Sequence, residues 1–166
     1  AVWADVDPAS GNIDPQSVRD KITRRTKAIL CVHYAGYPVR LRELREIADQ
    51  HGLALIEDCA HALGATYEGR SVGLIGDYGI FSFQAIKHMT TVDGGLLTIA
   101  DPSQLDAAKR FRWFGMRKGV PRTEVDISSI GYKYNMNNVT ATIGLAQLSH
   151  INSLVQRHID NGRFFD

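Results

Sequence analysis

Short, wholly apolar runs alternate with amphipathic stretches along the first half of this chain. Residues 28–32 form one such run, and residues 53–56 form a second that ends abruptly at Glu57-Asp58. A continuous apolar run is typical of a strand that is buried on both faces of a sheet. Between the two runs, hydrophobic residues recur at helical spacing, namely Leu41, Leu44, Ile47 and Ala48. This strand–helix–strand order predicts parallel strands that are joined by a right-handed crossover.

The second half of the chain continues the pattern with two more apolar runs and then with helices. Residues 80–83 and 95–99 predict further core strands, whereas residues 65–72 predict a small polar hairpin. Asp101-Pro102 places a capping residue before a proline, which predicts a helix through about residue 111. Asn137 or Asn138 caps a long final helix, whose predicted buried side comprises Val139, Ile143, Ala146 and Leu154. The predicted fold class is therefore α/β, a three-layer structure with a mostly parallel central sheet and helices on both faces.

Composition narrows the function classes without choosing among them. The chain has 166 residues, enough for one domain over 1–166, with 44% hydrophobic and 22% charged residues. Its net charge of +1 gives no support for a nucleic-acid partner or for binding to an anionic membrane surface. No apolar run approaches the roughly 18–20 residues of a membrane helix. The two cysteines are too few for a disulfide framework and fit the reducing cytoplasm, where we expect the protein to act.

Two motifs suggest ligand sites that the neighbouring residues support only in part. Residues 64–71 nearly spell a phosphate-binding P-loop, but their flanks predict a strand and a turn, whereas a P-loop must open a helix. Cys31 and His33 form one Cys-x-His pair, and Cys59 and His61 form another. Two such pairs could hold zinc in a tetrahedral site, although cysteine is also a common small buried hydrophobe. A metal-binding α/β module is thus an alternative, and we assign no metal ligand.

A third constellation follows the predicted core strands. Asp58 stands at the carboxyl end of a strand, the position where open α/β sheets bind ligands. His61 comes three residues later, Ser82 lies in the next core strand, and Lys87 follows that strand by a few residues. Pyridoxal phosphate chemistry requires an amine that forms a Schiff base and a carboxylate that keeps the pyridine nitrogen protonated. The same residues taken alone fit a strand-end cap and a surface lysine equally well.

Five segments spread over the chain carry a specific set of motifs. They are Ile56-Glu57-Asp58-Cys59-Ala60-His61-Ala62-Leu63-Gly64-Ala65, Gly73-Leu74-Ile75-Gly76-Asp77, Phe81-Ser82-Phe83 followed by Lys87, Asp93-Gly94-Gly95, and Gly131-Tyr132-Lys133-Tyr134-Asn135. Together they resemble the DegT/DnrJ/EryC1/StrS family of nucleotide-sugar aminotransferases, which have the aspartate-aminotransferase fold (fold type I). The resemblance covers nearly the whole chain. It implies that the chain is part of the large domain of such an enzyme, with pyridoxal 5'-phosphate as its cofactor.

The resemblance also implies a role for each candidate residue. Lys87 aligns with the Schiff-base lysine, and Asp58 aligns with the partner of the pyridinium nitrogen. His61 aligns with the residue beside the cofactor ring and its 3-oxygen, and Ser82 aligns with a ligand of the phosphate. Asn135 matches an asparagine that, in members with the same Gly-Tyr-Lys-Tyr-Asn sequence, reaches the phosphate of the partner subunit. Some dehydratase relatives have histidine in place of the lysine, so Lys87 favours transamination.

The implied activity is transfer of an amino group, with glutamate as the donor, to a keto-sugar carried by a nucleotide diphosphate. Such sugars serve cell-surface polysaccharide or antibiotic biosynthesis. The resemblance further implies a homodimer. It also implies that residues 1–166 are the cofactor-binding central portion, with an upstream segment and a C-terminal small domain outside this sequence. Two rivals remain, a truncated domain that folds without catalysis and the metal-binding module.

Overall fold

The computed structural model describes residues 1–165, and a four-stranded sheet lies at its centre. In chain order the strands are β1 (Ala28–Val32), β2 (Ala54–Asp58), β3 (Thr66–Tyr67), β4 (Arg70–Ser71), β5 (Tyr78–Ser82) and β6 (Gly95–Ile99). The α-helices are α1 (Pro15–Lys21), α2 (Leu41–His51), α3 (Leu105–Phe111), α4 (Asn138–Leu148) and α5 (Ile151–Phe165). Short 3-10 turns cover Tyr34–Gly36, Pro102–Gln104 and Arg122–Glu124.

The main sheet has the order β1-β2-β5-β6 and is mostly parallel. β1 pairs with β2 and β2 with β5 in parallel, so that Val32 lies opposite Asp58 and Asp58 lies opposite Ile80. β6 pairs antiparallel with β5, with Gly95 opposite Ser82, because residues 83–94 turn the chain back without a crossover. The predicted α/β class with a mostly parallel sheet is confirmed.

The hydrophobic core lies where α2 packs against one face of the sheet. α2 contributes Leu41, Leu44 and Ile47, and β2 contributes Leu55, all of them with no exposed surface. The side chain of Asp14 caps α1, since it accepts hydrogen bonds from the second and third residues of the helix, Gln16 and Ser17. The core is therefore formed by the apolar face of α2 and the facing side chains of the sheet.

The opposite face of the sheet is more exposed than the apolar runs predict. In β1 only Ile29 and Cys31 are buried, whereas Leu30 and Val32 are 52% and 41% exposed. Burial therefore alternates along β1, as it does in a strand with one covered face. The prediction of strands buried on both faces is wrong for the part of the chain that the structure describes. An apolar run shows that both faces of a strand can be buried. It does not show whether a helix or another segment covers each face, because that segment can come from a distant part of the chain.

The C-terminal part differs from the predicted single helix. It forms two helices, α4 and α5, and Asn137 caps the first by accepting from the Thr140 N–H at 3.0 Å. Val139 is 72% exposed and Ala146 is also exposed, so two of the predicted buried positions face outward. The hairpin β3–β4 occupies residues 66–71, which excludes the helix that a P-loop would need there. Within residues 1–165 no helix combines the length and apolar character needed to cross a bilayer.

Candidate active site

The carboxyl ends of β2 and β5 lie side by side and carry two of the candidate residues. Asp58 is the last residue of β2, and Ser82 is the last residue of β5. The pairing continues just past β2, because the Cys59 N–H donates to the Ile80 carbonyl at 2.7 Å. Parallel strands end at the same edge of a sheet, so the structure brings Asp58 and Ser82 to one edge, where α/β sheets bind ligands.

The Asp58 carboxylate is half-buried and only partly engaged. Its Oδ1 accepts a hydrogen bond from the Ala60 N–H at 3.0 Å, in a local turn that fixes the direction of the carboxylate. Among residues 1–165, Oδ2 receives no hydrogen bond. One oxygen of Asp58 is therefore left to accept a proton or a hydrogen bond from a ligand.

Ser82 is also half-buried and keeps its donor capacity. Its Oγ accepts from the Gln84 N–H at 3.3 Å, which begins the turn away from the sheet. A serine hydroxyl offers one donor and two acceptor positions, so its hydrogen is available in this arrangement. Ser82 can therefore donate to an anion at the sheet edge, as a phosphate ligand must.

Lys87 lies in the turn that follows β5, directly before His88. Its backbone N–H donates to the Gln84 carbonyl at 2.9 Å, and its side chain is half-buried. Burial lowers the pKa of the adjacent His88, and the nearby positive groups of His158, Lys87 and His61 lower it further. The His88 and His158 rings meet edge to face with centroids 4.4 Å apart. The structure therefore gathers Lys87, His88 and the exposed His61 beside α5.

Asn135 lies in the segment that leads to α4. Its Nδ2 donates to the Met136 carbonyl at 3.3 Å, whereas its Oδ1 is buried and has no partner among the described residues. Met136 packs close to Gly94, at the end of the connection that carries Lys87; a Cβ on Gly94 would lie 3.1 Å from its Cε. An unpaired buried amide oxygen is unusual, so the Asn135 side chain is not fully satisfied by its own chain.

Glu57, the residue before Asp58, forms a buried network that the sequence pattern does not reveal. Its side chain has no exposed surface, and the equally buried His33 ring contacts its Oε2 at 3.1 Å. The His33 Nδ1 accepts from the Val39 N–H, which places the ring proton on Nε2, facing the carboxylate. Three backbone N–H groups of one turn complete the network: Gly73, Ile75 and Gly76.

The charge of Glu57 is held by these donors. Burial by itself raises the pKa of Glu57, but the hydrogen bond from His33 and those from the backbone turn outweigh it and hold the pKa below its usual value. The network joins β2 to the turn before β5, 16 to 19 residues later. Glu57 is therefore engaged inside the fold, where it links β2 to the turn that precedes β5.

The two Cys-x-His pairs do not meet as one four-ligand site. Within residues 1–165 the group with metal-ligand proximity is His33, Glu57 and Cys59, whose ligand atoms lie within 4.8 Å of one another. Cys31 and His61 are not part of it. Both nitrogens of His33 and both oxygens of Glu57 already make hydrogen bonds. Burial, followed by the negative charge of Glu57, raises the pKa of the Cys59 thiol to about 12, which disfavours the thiolate that zinc binds.

Comparison with known proteins gives the family to which this chain belongs. The model of the DegT/DnrJ/EryC1/StrS aminotransferase family matches residues 1–166. The chain belongs to this family. Its relatives include the GDP-perosamine synthase of Escherichia coli O157:H7, which is 36% identical over 156 residues and matches 94% of this chain. That match covers 42% of the synthase, so the chain spans less than half the length of this relative.

Solved structures agree with the family. The sugar aminotransferase CalS13 from Micromonospora echinospora superposes with a TM-score of 0.94 at 37% identity, over 99% of this chain and 47% of its own. Spr1654 from Streptococcus pneumoniae superposes with TM-scores of 0.88 in its PMP form and 0.87 in its PLP form, at 30% identity over 96% of this chain. It is covered over 47% and 45% of its own length, respectively. The predicted membership and fold type are confirmed.

The donor set at the sheet edge fits pyridoxal phosphate. The cofactor's aldehyde requires an amine, its ring nitrogen requires a carboxylate, and its phosphate requires hydrogen-bond donors. The turn after β5 carries the amine of Lys87, the end of β2 carries the free oxygen of Asp58, and the end of β5 carries the hydroxyl of Ser82. The chemistry of each group matches one part of the cofactor.

Proposed function

We propose that the protein carrying this chain is a pyridoxal-phosphate-dependent aminotransferase that acts on a nucleotide-linked keto-sugar. Glutamate is the proposed amino donor. The observation that carries the proposal is the sheet edge where β2 and β5 end, since Asp58 and Ser82 both lie at that edge and each retains a group free for a ligand. Membership of the aminotransferase family supports the reaction class, and the GDP-perosamine synthase supports a nucleotide sugar as the substrate.

When bound, pyridoxal phosphate supplies an aldehyde that captures an amino group and a ring that withdraws electrons from the reacting carbon. Lys87 is the proposed covalent ligand of that aldehyde through its Nζ. When not bound to the aldehyde, the same amine would carry a proton to and from the reacting carbons as a general base and acid. Asp58 holds a proton at the ring nitrogen through its free oxygen.

The other candidates take binding roles in this proposal. Ser82 donates its hydroxyl hydrogen to the phosphate, and His61 lies beside the ring and its 3-oxygen. Asn135 reaches the phosphate in a second copy of the chain, so that the working unit is a homodimer. The Nδ2 of Asn135 supports this role, because it carries two hydrogens and donates one to the Met136 carbonyl, so that the other can be donated to a phosphate oxygen. The free thiols of Cys31 and Cys59 support a reducing compartment, the cytoplasm.

Product analysis tests the proposed reaction. The protein is supplied with pyridoxal phosphate, glutamate and a nucleotide-diphosphate keto-sugar, and the amino-sugar product is measured by mass spectrometry. We expect product from the parent protein and none from Lys87→Ala. Lys109→Ala is the matched control, since Lys109 lies exposed on α3, and it should retain the parent rate. Product formation by Lys87→Ala at the parent rate would contradict the proposal.

A further inference from the structure

The connection between β5 and β6 carries Lys87 and is fastened at its base. The Phe83 N–H donates to the Gly94 carbonyl at 2.8 Å, and the Phe83 carbonyl accepts from the Thr91 N–H at 2.8 Å. The Thr90 hydroxyl donates to the same Phe83 carbonyl at 3.2 Å. These bonds close the two ends of the connection on each other. Lys87 lies between these two ends, in the part of the loop that these hydrogen bonds do not hold.

One side chain from a distant helix contacts this loop. Gln147, near the end of α4, accepts the backbone N–H of Thr90 on its Oε1 at 2.9 Å. The two residues are 57 positions apart in the chain. The bond fixes the backbone three residues beyond Lys87, on the limb that runs back toward the sheet. Gln147 is therefore a long-range anchor of the Lys87 loop.

The close approach of α4 makes this anchor possible. Gly144, one turn before Gln147, is the buried residue of α4. A Cβ at this position would lie 2.8 Å from Thr91 Cγ2 and 3.5 Å from Met89 Cε. The side chain of Thr91 is itself buried, with 1% of its surface exposed. Helix α4 thus rests directly on residues 89–91, and the glycine permits that contact.

Thr90 is the point where these contacts meet. Its hydroxyl donates to Phe83 and accepts from the Val92 N–H at 2.9 Å, while its backbone N–H is held by Gln147. Loss of the Gln147 bond would leave the Thr90 N–H without its partner in a partly buried position. Small displacements of a reacting group cost large factors in rate, because covalent capture requires close and aligned atoms.

We propose that Gln147 is a positioning residue for Lys87: its side-chain oxygen holds the Lys87 loop in the conformation that presents the amine to the cofactor's aldehyde. Gln147 acts through Thr90 and touches neither cofactor nor substrate in this role. The inference rests on the proposed function, since it takes Lys87 as the covalent ligand. The contact itself between α4 and the loop is independent of that function.

The test compares two substitutions that differ in one property. Gln147→Met keeps the length of the side chain and removes the acceptor, whereas Gln147→Glu keeps an acceptor oxygen. The matched control is Gln156→Met on α5, where the glutamine is exposed and donates to Asp160. Each variant is made in the protein that carries this chain. Hydrogen exchange of residues 84–94 is measured without cofactor, and the rate at which Lys87 captures pyridoxal phosphate is measured by rapid borohydride reduction and peptide mapping.

We expect Gln147→Met to speed amide exchange in the loop and to slow capture at Lys87 by about tenfold, the upper range for one neutral hydrogen bond. Gln147→Glu and Gln156→Met should match the parent in both measurements. Unchanged amide exchange in Gln147→Met would show that Gln147 does not anchor the loop. Faster exchange with an unchanged capture rate would overturn the positioning role, and so would slow capture in Gln147→Glu. If the parent itself captures nothing at Lys87, the proposed function fails, while the exchange data still decide whether Gln147 anchors the loop.

Discussion

The carboxylates of Glu57 and Asp58 are adjacent in the chain, yet they lie on opposite faces of β2 and differ in hydrogen bonding. Glu57 is fully buried and accepts from four donors, whereas Asp58 is half-buried and accepts from one. Successive side chains of a strand point to opposite faces, which explains the difference. One carboxylate therefore stabilises the fold, and its neighbour is free to bind a ligand.

Replacement of Glu57 by glutamine should destabilise the fold without touching the sheet edge. The new amide group would face N–H donors of the 73–76 turn, so that at least one buried donor loses its acceptor, at a cost of about 1–3 kcal/mol. The free energy of unfolding at pH 7, measured by urea titration, should fall by that amount. Glu46→Gln, at an exposed position of α2, is the control and should leave it unchanged.

The same residue predicts how stability depends on pH. Because the folded protein holds the pKa of Glu57 below its usual value, the stabilisation is present above the unfolded pKa of about 4.3 and is lost as pH falls through the folded value. Glu57→Gln should therefore flatten the acid side of the stability curve. An unchanged acid dependence in this variant would show that other carboxylates cause it.

Asp58→Asn should separate cofactor binding from turnover. An amide retains the size of the carboxylate but cannot hold a proton at the ring nitrogen, so the cofactor should bind while amino transfer falls by about 100-fold or more. Bound cofactor is measured by absorbance and turnover by product formation. Asp20→Asn, on the exposed surface of α1, serves as the control. Transamination by Asp58→Asn at the parent rate would refute the role of Asp58.

The contact between His88 and His158 should weaken α5 at mildly acidic pH. Burial, then the positive groups of His158, Lys87 and His61, lower the pKa of His88. The unfolded chain therefore binds a proton more readily, and the stabilisation present above about pH 6.5 is lost as pH falls below that value. Amide exchange in α5 should be faster at pH 5.5 than at pH 7.5.

A substitution isolates the contribution of His158 to this effect. His158→Phe keeps an aromatic edge against His88 and removes one charge, so the pKa of His88 in an NMR titration should rise and the pH dependence of α5 exchange should shrink. His51→Phe, at the exposed end of α2, should change neither quantity. A His88 pKa that is the same in His158→Phe and in the parent would rule out this charge interaction.

Local sequence signals predicted most of the fold. The apolar runs located β1, β2, β5 and β6, and the Asp101 and Asn137 side chains cap the helical segments that they were expected to begin. The parallel pairing of β1 and β2 followed from the helix between them. These features depend on neighbouring residues, so the sequence contains their causes directly. The exposure of Leu30 and Val139 depends instead on which distant element covers a face, and periodicity carries no such information.

The candidate site was predictable in its residue types and not in its supporting contacts. Asp58 was predicted at the end of one strand and Ser82 within the next, and the structure makes each the last residue of its strand, at one edge of the sheet. The buried pair of His33 and Glu57 was not predicted, because the Cys-x-His spacing around His33 indicates a metal site and not a contact with Glu57. The strongest available signal was Glu57 itself, a charged residue at the inward-facing position of an apolar strand.

The most direct test of this account asks which lysine binds the cofactor. The protein that carries this chain is incubated with pyridoxal phosphate, reduced with borohydride, digested and mapped by mass spectrometry. The account predicts the label on Lys87, with none on the exposed Lys109 and none on any lysine when Lys87 is replaced by alanine. A label on another lysine, or no label on the parent protein, would contradict the assignment of Lys87 and the active site built around it.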